Sequence, residues 1–270
     1  MPTSDLSAIA RQATVVSSGW LRFGEMRSPS AATRLFCFAH AGGNAVAFRP
    51  WMAAAPPDLE VVAVELPGHG VRIAERPMAD IGEVASAVRS EMGPYLDRPY
   101  ALYGHSMGAA VAIVLAQLLA ADPDVPSPFT LVVGGCAPAP DYGKSSWCLS
   151  PGCSDEELIG WMRRIDGTPP EVLAEPRLLP LILRLMRADL AVLDSWWRNH
   201  QAAPLPHPIR AIAGRRDSVA PAAKMTAWQA ETAAEFSLTV VDGGHFFYSQ
   251  ATRTVLKLIA ADLAVGLSLR

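Results

Sequence analysis

The pentapeptide Gly104-His105-Ser106-Met107-Gly108 is the most informative stretch of this chain. The short apolar run before it, residues 100–103, is typical of a buried strand, and the alanine-rich run after it, residues 109–120, is typical of a buried helix. A serine between glycines at a strand-to-helix turn predicts a nucleophile elbow. Such a turn is so tight that a Cβ at either glycine would strike the neighbouring strand or helix. We therefore expect Ser106 at the tip of this turn, above the carboxyl edge of a parallel sheet.

Strand and helix patterns alternate on both sides of this turn. Strands are predicted at residues 20–23, 34–39, 60–66, 100–103, 129–134, 208–213 and 236–241. Helices are predicted at about residues 48–55, 80–92, 109–120, 221–234 and 249–263. This alternation predicts an α/β fold in which helices flank a mostly parallel central sheet with right-handed crossovers.

The pattern changes between residues 145 and 204, where only helical periodicity occurs. A capping box, formed by Ser154 and Glu157, opens the first helix, and a wide apolar face runs along the helix predicted at residues 178–198. This face either packs on the main core or lines an apolar pocket under a helical lid, and the position of the segment between two strands favours the lid. The predicted divisions are a flexible tail (residues 1–18), an α/β core (residues 19–144 and 205–270) and a helical lid insertion (residues 145–204).

Composition argues against several classes of protein. The chain has 270 residues, half of them apolar, and a net charge of −3 without a basic run, which gives nucleic-acid binding little support. Its longest apolar run is too short to cross a bilayer, and residues 1–18 lack the continuous apolar core of a signal peptide. We expect a cytoplasmic, monomeric protein without nucleic-acid or membrane partners.

The four cysteines, Cys37, Cys136, Cys148 and Cys153, form neither a C-x-x-C pair nor a zinc-binding pattern. A core of this size needs no disulfide, so we expect four free thiols, the first two buried as small hydrophobic residues. A Cys148–Cys153 disulfide is the minor alternative.

A catalytic serine needs a base that takes its proton and a third group that orients the base. In an α/β-hydrolase fold the three follow in the order serine, acid, histidine. His245, in a glycine-preceded loop after the last predicted strand, is the predicted base. Asp217, just past the penultimate strand, is the predicted acid, and Asp141, after the preceding strand, is the alternative. Asp242 is too near His245 in sequence to reach round to its ring.

The oxyanion of an acyl-transfer intermediate needs two N–H donors. Met107 in the elbow is predicted to supply one, and Ala41, in the glycine-rich turn after the strand at residues 34–39, the other. We expect His40 to brace that turn, His69 to be structural and His105 to point its ring away from the reacting centre. The residues that would bind the acyl group stay unassigned.

With these residues in place, the sequence resembles the type II thioesterases of polyketide and nonribosomal peptide biosynthesis. The resemblance covers nearly the whole chain after the tail. It rests on motifs that follow the family's order and approximate spacing: Leu35-Phe36-Cys37-Phe38-Ala39-His40-Ala41-Gly42-Gly43, Phe48-Arg49-Pro50-Trp51, Leu66-Pro67-Gly68, the elbow, Gly167-Thr168-Pro169-Pro170, Arg187-Ala188-Asp189 and Gly243-Gly244-His245-Phe246-Phe247. The chain departs from the family at Gly68-His69-Gly70, where the loop often reads Pro-Gly-Arg, and at residues 147–152.

The resemblance implies an α/β-hydrolase fold with Ser106, Asp217 and His245 as the triad and a lid at about residues 145–204. It also implies a serine thioesterase that hydrolyses acyl thioesters from the phosphopantetheine arm of acyl or peptidyl carrier proteins and removes aberrant acyl groups. Neither a metal ion nor a bound cofactor is implied.

Carrier proteins of this kind are usually acidic, so a basic cluster could receive one, although each arginine fits a solvated surface equally well. The cluster comprises Arg72, Arg76, Arg215 and Arg216.

Other functions are compatible with the same fold. A carboxylesterase would use the same triad on oxygen esters, an acyltransferase would pass the acyl group to another acceptor, and a non-catalytic module would lack a working triad. No triad member is missing here.

Overall fold

The computed structural model describes residues 19–24, 30–165, 167–201 and 203–268, so the predicted flexible tail at residues 1–18 lies outside the described residues. The described strands are β1 Leu21–Phe23, β2 Thr33–Phe38, β3 Leu59–Val64, β4 Tyr100–His105, β5 Thr130–Gly134, β6 Ile209–Gly214 and β7 Phe236–Val241. They form one sheet in the order β1-β3-β2-β4-β5-β6-β7. Only the pairing of β1 with β3 is antiparallel, so the prediction of a mostly parallel sheet is confirmed.

Helices connect these strands. The α-helices are α1 Arg49–Ala54, α2 Ile81–Met92, α3 Met107–Ala120, α4 Ala139–Tyr142, α5 Asp155–Ile165, α6 Pro170–Leu173, α7 Leu179–Arg198, α8 Ala222–Met225, α9 Phe247–Gln250 and α10 Thr252–Ser268. Short 3-10 turns lie at Ala45–Phe48, Gly70–Arg72, Gly93–Tyr95 and Thr226–Glu231.

The central strands are buried along their whole length because helices cover both faces of the sheet. In β2 every residue is buried, with Leu35 and Cys37 facing one apolar cluster and Phe36 and Phe38 facing the other. Helices α2 and α3 pack on the second of these faces, whereas α1 and α10 pack on the first. Strands buried on both faces read as continuous apolar runs, which is why the sequence predicts them well.

The prediction of one continuous α-helix at residues 221–234 is wrong. The structure has one α-helical turn, α8, followed by a 3-10 helix at Thr226–Glu231. Met225, Trp228 and Glu231 are all buried and are spaced three residues apart. A 3-10 helix brings every third residue onto the same face, whereas an α-helix would rotate them progressively away from the core.

Four α-helices, α4 to α7, lie between β5 and β6, and three of them, α5 to α7, lie within residues 145–204. The predicted capping box opens α5: the N–H of Glu157 donates to Oγ of Ser154, and the N–H of Ser154 donates to Oε2 of Glu157. The apolar face of α7 was predicted either to pack on the main core or to line an apolar pocket, and it does both. Its first half packs with α5 in a separate apolar cluster that includes Leu158, Met162, Met186 and Leu190, and its second half joins the main core. The division into core and lid domains itself stays a prediction.

All four cysteines are free thiols, so the Cys148–Cys153 disulfide does not form. Cys37 and Cys136 are buried as expected. Within the described part of the chain, none of the helices combines the length and the apolar character that a membrane crossing requires.

Candidate active site

Ser106 occupies the turn between β4 and α3, as the elbow motif predicts. Its backbone has φ 54° and ψ −117°, and among the described residues no other non-glycine has a positive φ. The glycines on either side are required by close approach: a Cβ at Gly104 would overlap the carbonyl group of Gly108, and a Cβ at Gly108 would overlap that of Phe38. The tight crossing of strand and helix therefore holds the serine in a strained conformation, a common feature of functional sites.

His245 and Asp217 meet at the carboxyl edge of the sheet, beyond β7 and β6. The Nδ1 atom of His245 lies 3.1 Å from Oδ2 of Asp217 and 3.2 Å from Oδ1. Both side chains are buried. Because a carboxylate only accepts hydrogen bonds, this contact places the proton of the neutral ring on Nδ1 and leaves the lone pair on Nε2. Within the described chain, Nε2 has no hydrogen-bond partner.

The carboxylate of Asp217 is favoured over its protonated form. Burial raises its pKa, but the hydrogen bond and charge of His245 oppose that effect, as do the backbone N–H groups of Ala220 and Val219. These two N–H groups donate to Oδ1 at 3.1 and 2.9 Å. The net result is a lowered pKa for Asp217. An anion fixed in this way can orient His245 and stabilise its imidazolium form.

The alternative acids lie elsewhere. Asp141 belongs to the short helix α4 and is half-buried there, and its side chain is not the one that contacts His245. Asp242 is exposed and pairs with Arg215, 3.0 Å away. The structure thus brings His245 together with Asp217.

Ser106 and His245 line the same small cavity, of about 40 Å³, without a direct hydrogen bond to Nε2 of the histidine. Ala41 lines it as well. The remaining walls are largely apolar side chains from α5, α7 and the last loop: Trp161, Met162, Ile165, Met186 and Phe246. A wider cleft of about 470 Å³ adjoins the other side of His245 and Phe246 and contains Arg164, Ser218 and Gln250.

The oxyanion donors were predicted at Ala41 and Met107. Met107 is the first residue of α3, where backbone N–H groups have no partner within the helix. Ala41 lies in the turn that follows β2, beside Ser106 in the cavity wall. The next residue, Gly42, has φ +75°, and a Cβ there would lie 2.7 Å from Sδ of Met186. The geometry puts both predicted donors next to the serine, and their role stays a prediction.

Two further histidines, His105 and His40, support the loops of the site. The Nε2 atom of His105 lies 2.8 Å from the carbonyl oxygen of His245, so it donates there, and Nδ1 accepts from the Tyr103 hydroxyl at 3.3 Å. His40 forms a hydrogen bond of 3.0 Å with the hydroxyl of Tyr248. Burial, together with the charges of the neighbouring His245 and His69, lowers the pKa of His40 to about 4. Burial holds the pKa of His105 well below its ordinary value, so both rings are neutral at neutral pH, and they hold the loops that carry Ala41 and His245.

Asp189 is not among the predicted site residues, although the motif Arg187-Ala188-Asp189 contains it. It lies on α7, is buried, and accepts a hydrogen bond of 2.6 Å from the N–H of Gly42. His69 contacts the same carboxylate.

The predicted basic cluster is partly neutralised, because Arg72 pairs with Glu75 and Arg215 pairs with Asp242, whereas Arg76 and Arg216 are exposed.

The comparisons with known proteins agree with this geometry. A model of the thioesterase domain family matches residues 33–263. The gramicidin S biosynthesis protein GrsT of Aneurinibacillus migulanus is 32% identical over 88% of this chain and 92% of its own length. The thioesterase PikA5 of Streptomyces venezuelae is 31% identical over 94% of this chain and 89% of its own length.

Among solved structures, the type II thioesterase BorB from the borrelidin biosynthetic cluster superimposes with a TM-score of 0.79 and 31% identity. The match covers 91% of this chain and 98% of that one. The residues that the family model matches include the elbow, the loop of His245 and the inserted helices. This chain belongs to the thioesterase domain family.

Proposed function

We propose that this protein hydrolyses acyl thioesters carried on the phosphopantetheine arm of acyl or peptidyl carrier proteins, and that it clears aberrant acyl groups during polyketide or nonribosomal peptide synthesis. The observation that carries the proposal is the placement of Ser106, on a strained elbow, in one cavity with a histidine that a buried aspartate orients. Its thioesterase family membership and relatives from gramicidin S and borrelidin biosynthesis support the choice of substrate class.

The first half of the reaction follows from the protonation state of the site. Oγ of Ser106 attacks the thioester carbonyl while Nε2 of His245 takes the hydroxyl proton, and Asp217 stabilises the imidazolium that forms. The carbonyl oxygen becomes an oxyanion, which the N–H groups of Ala41 and Met107 would stabilise. When the C–S bond breaks, the thiolate of the arm takes the proton from His245, and the acyl group stays on the serine.

The second half repeats these steps with water. Nε2 of His245 removes a proton from a water molecule, whose oxygen attacks the ester carbonyl of the acyl-enzyme. Collapse of the second oxyanion intermediate breaks the bond to Oγ of Ser106, and His245 returns the proton to that oxygen. The products are a free carboxylic acid and the regenerated serine, and the mechanism requires neither a metal ion nor a bound cofactor.

The two openings beside His245 differ in a way that suits a carrier-bound substrate. The small cavity next to Ser106 has walls of Trp161, Met162 and Met186, which suit an apolar acyl group. The wider cleft has a more polar lining that includes Arg164 and Gln250, which suits an arm rich in amide groups. Exposed Arg76 and Arg216 are the proposed contacts for an acidic carrier protein. A cytoplasmic location and a monomeric state stay predictions.

The test measures release of a short acyl group from an acylated, phosphopantetheinylated carrier protein, beside cleavage of a p-nitrophenyl ester. We expect wild-type protein to prefer the carrier thioester. The Ser106→Ala variant should lose turnover by at least about a thousandfold while keeping its fold, because no other nucleophile lies at the elbow.

Three results would contradict the proposal, each in a different way. Full activity of the Ser106→Ala variant would remove the serine from the mechanism. Fast cleavage of the ester with an untouched carrier thioester would identify a carboxylesterase. Transfer of the acyl group to an added acceptor in preference to water would identify an acyltransferase.

A further inference from the structure

The turn that carries the predicted oxyanion donor is held at both ends by buried carboxylates. Asp189, on α7, accepts the N–H of Gly42 at 2.6 Å, and Glu65, just after β3, accepts the N–H of Ala45 at 3.1 Å. Both acids are at most 2% exposed. Met186, one helical turn before Asp189, also packs against Gly42. The inserted helix therefore contacts the turn immediately next to Ala41 through two side chains.

His69 is the counter-charge of Asp189, and its hydrogen bonds define its protonation state. Its Nε2 atom lies 3.1 Å from Oδ2 of Asp189, and its Nδ1 atom lies 3.1 Å from the carbonyl oxygen of Pro67. A carbonyl oxygen and a carboxylate oxygen can only accept hydrogen bonds, so both ring nitrogens must donate. Only the imidazolium form carries two N–H groups. The buried pair is thus an imidazolium and a carboxylate.

The surrounding charges favour this state. Burial lowers the pKa of His69, but the charge and hydrogen bond of Asp189, the carbonyl group of Pro67 and the charge of Glu65 outweigh burial, so that the pKa is raised. Among the described residues, His40 also lies near the ring, lining the same small cavity as His69, and it is neutral. Nearby on its own loop, Arg72 donates to the carbonyl oxygen of Glu65 and pairs with Glu75. A buried carboxylate without a counter-charge is costly, so loss of the imidazolium would weaken the hold on Gly42.

We propose that His69 and Asp189 are the positioning residues of the oxyanion hole: the ionised carboxylate, held by the imidazolium, fixes the turn in which the N–H of Ala41 faces the reacting carbonyl. Neither residue touches the substrate. Oxyanion donors act on the transition state far more than on the bound ground state, so the pair should govern kcat and leave KM nearly unchanged. The inference rests on the proposed function, because it concerns the rate of the same Ser106-dependent reaction.

The experiment compares Asp189→Asn, His69→Gln and His69→Arg with wild-type protein on the acylated carrier protein. His200→Gln is the matched control, because the half-buried His200 and the buried Glu231 form another histidine–carboxylate pair, 3.3 Å apart, and neither residue lines the cavity of Ser106. Asparagine and glutamine keep the shape of the site but remove one charge of the pair. We expect Asp189→Asn and His69→Gln to lower kcat by about ten- to a hundredfold, with KM within about twofold of wild type. The control should keep wild-type kcat.

The pH dependence of kcat separates positioning from general destabilisation. In wild-type protein kcat should fall as pH rises through the raised pKa of His69, after non-enzymatic thioester hydrolysis is subtracted. Arginine stays protonated throughout, so His69→Arg should restore most of the activity that His69→Gln loses and should lack this alkaline decline.

The outcomes divide cleanly. Equal losses in His69→Gln and His200→Gln, losses confined to KM, or an alkaline decline that persists in His69→Arg would each overturn the inference. A fluorophosphonate probe that labels Ser106 gives the same comparison without a thioester, because its attack also develops negative charge on oxygen. If wild-type protein ignores carrier thioesters but its labelling rate depends on His69 and Asp189 as described, the proposed function fails and this inference stands.

Discussion

Ser106 is held in a conformation that costs about 1–3 kcal/mol for a non-glycine residue, and the surrounding structure must supply that energy. It does so through the buried packing of β4 against α3, two elements with no exposed residue between them. The hydroxyl is thereby presented at a fixed point, and His245 and Asp217 lie on loops at the same sheet edge. Each of the three residues depends on the sheet rather than on its own loop for its position.

The choice of acid gives a prediction at single residues. Asp217→Asn should lower kcat by about ten-thousandfold, because an amide can force the histidine into the wrong tautomer while leaving the geometry intact. Asp141→Asn serves as the control and should change kcat by less than about twofold, since Asp217 is the acid that contacts His245. Steady-state hydrolysis of the carrier thioester measures both, and a larger loss in Asp141→Asn would reverse the assignment.

The placement of Ser106, Asp217 and His245 at one sheet edge could be predicted because each lies next to a recognisable local pattern: an elbow, a strand followed by a short loop, and a glycine pair before the histidine. Asp189 has no such signal. Its two partners, Gly42 and His69, are 147 and 120 residues away in the sequence, and an aspartate in an amphipathic helix is equally compatible with a solvated face. The sequence predicts a structural role for His69, and its burial and hydrogen bonds agree with that role.

Among the elements, the crossing of β4 and α3 tolerates no added atom. Gly104→Ala should therefore destabilise the protein by about 3 kcal/mol or more, because the new Cβ would overlap backbone atoms that cannot rotate away. Urea unfolding monitored by circular dichroism measures the effect.

Gly160→Ala is the matched control for this change. Gly160 lies within α5, and a Cβ there would meet no atom within 4 Å. Alanine in a helix should then be neutral or stabilising by up to about 1 kcal/mol. An equal loss of stability in both variants would show that the elbow is not specially constrained.

In the segment after β6, the periodicity of the sequence predicts an α-helix where the structure has mostly a 3-10 helix. The residues from 222 to 231 have good helical composition, but the indole N–H of Trp228 donates to the carbonyl oxygen of Cys136 at 2.7 Å, and the buried residues follow a three-residue spacing. Tertiary contacts with a distant strand end therefore set the winding, and no local pattern contains that information. In contrast, the capping box of α5 is local, and the sequence predicts it correctly.

Across the whole molecule, neutral buried histidines make stability depend on pH. His40 has a pKa of about 4 in the folded protein, and burial holds the pKa of His105 well below its ordinary value. In the unfolded chain both titrate near about 6.5, so the unfolded state binds more protons as pH falls below that value. Stability is therefore lost in acid. His69 has the opposite sign: its raised pKa contributes stability that is complete below about 6.5 and is lost as pH rises through the folded pKa.

The prediction is a fall in the free energy of unfolding between about pH 7 and about pH 5, of which His40 alone supplies about 2 kcal/mol. Asp217 adds nothing in this window, because its lowered pKa acts only in more acidic solution. Urea unfolding at the two pH values measures the change, and the His40→Gln variant should show a smaller fall. Identical falls in the two proteins would contradict the assignment.

The contact of α7 with the turn beside Ala41 joins parts of the chain that are far apart in sequence, so we expect it to form late in folding. Its partners come together only after more than a hundred residues of intervening chain have been arranged. A chain with a finished sheet but an undocked α7 would already possess Ser106, His245 and Asp217, yet its oxyanion turn would be unsupported. We expect such a nascent or partly unfolded molecule to be a poor hydrolase, so that catalytic competence itself would report that folding is complete.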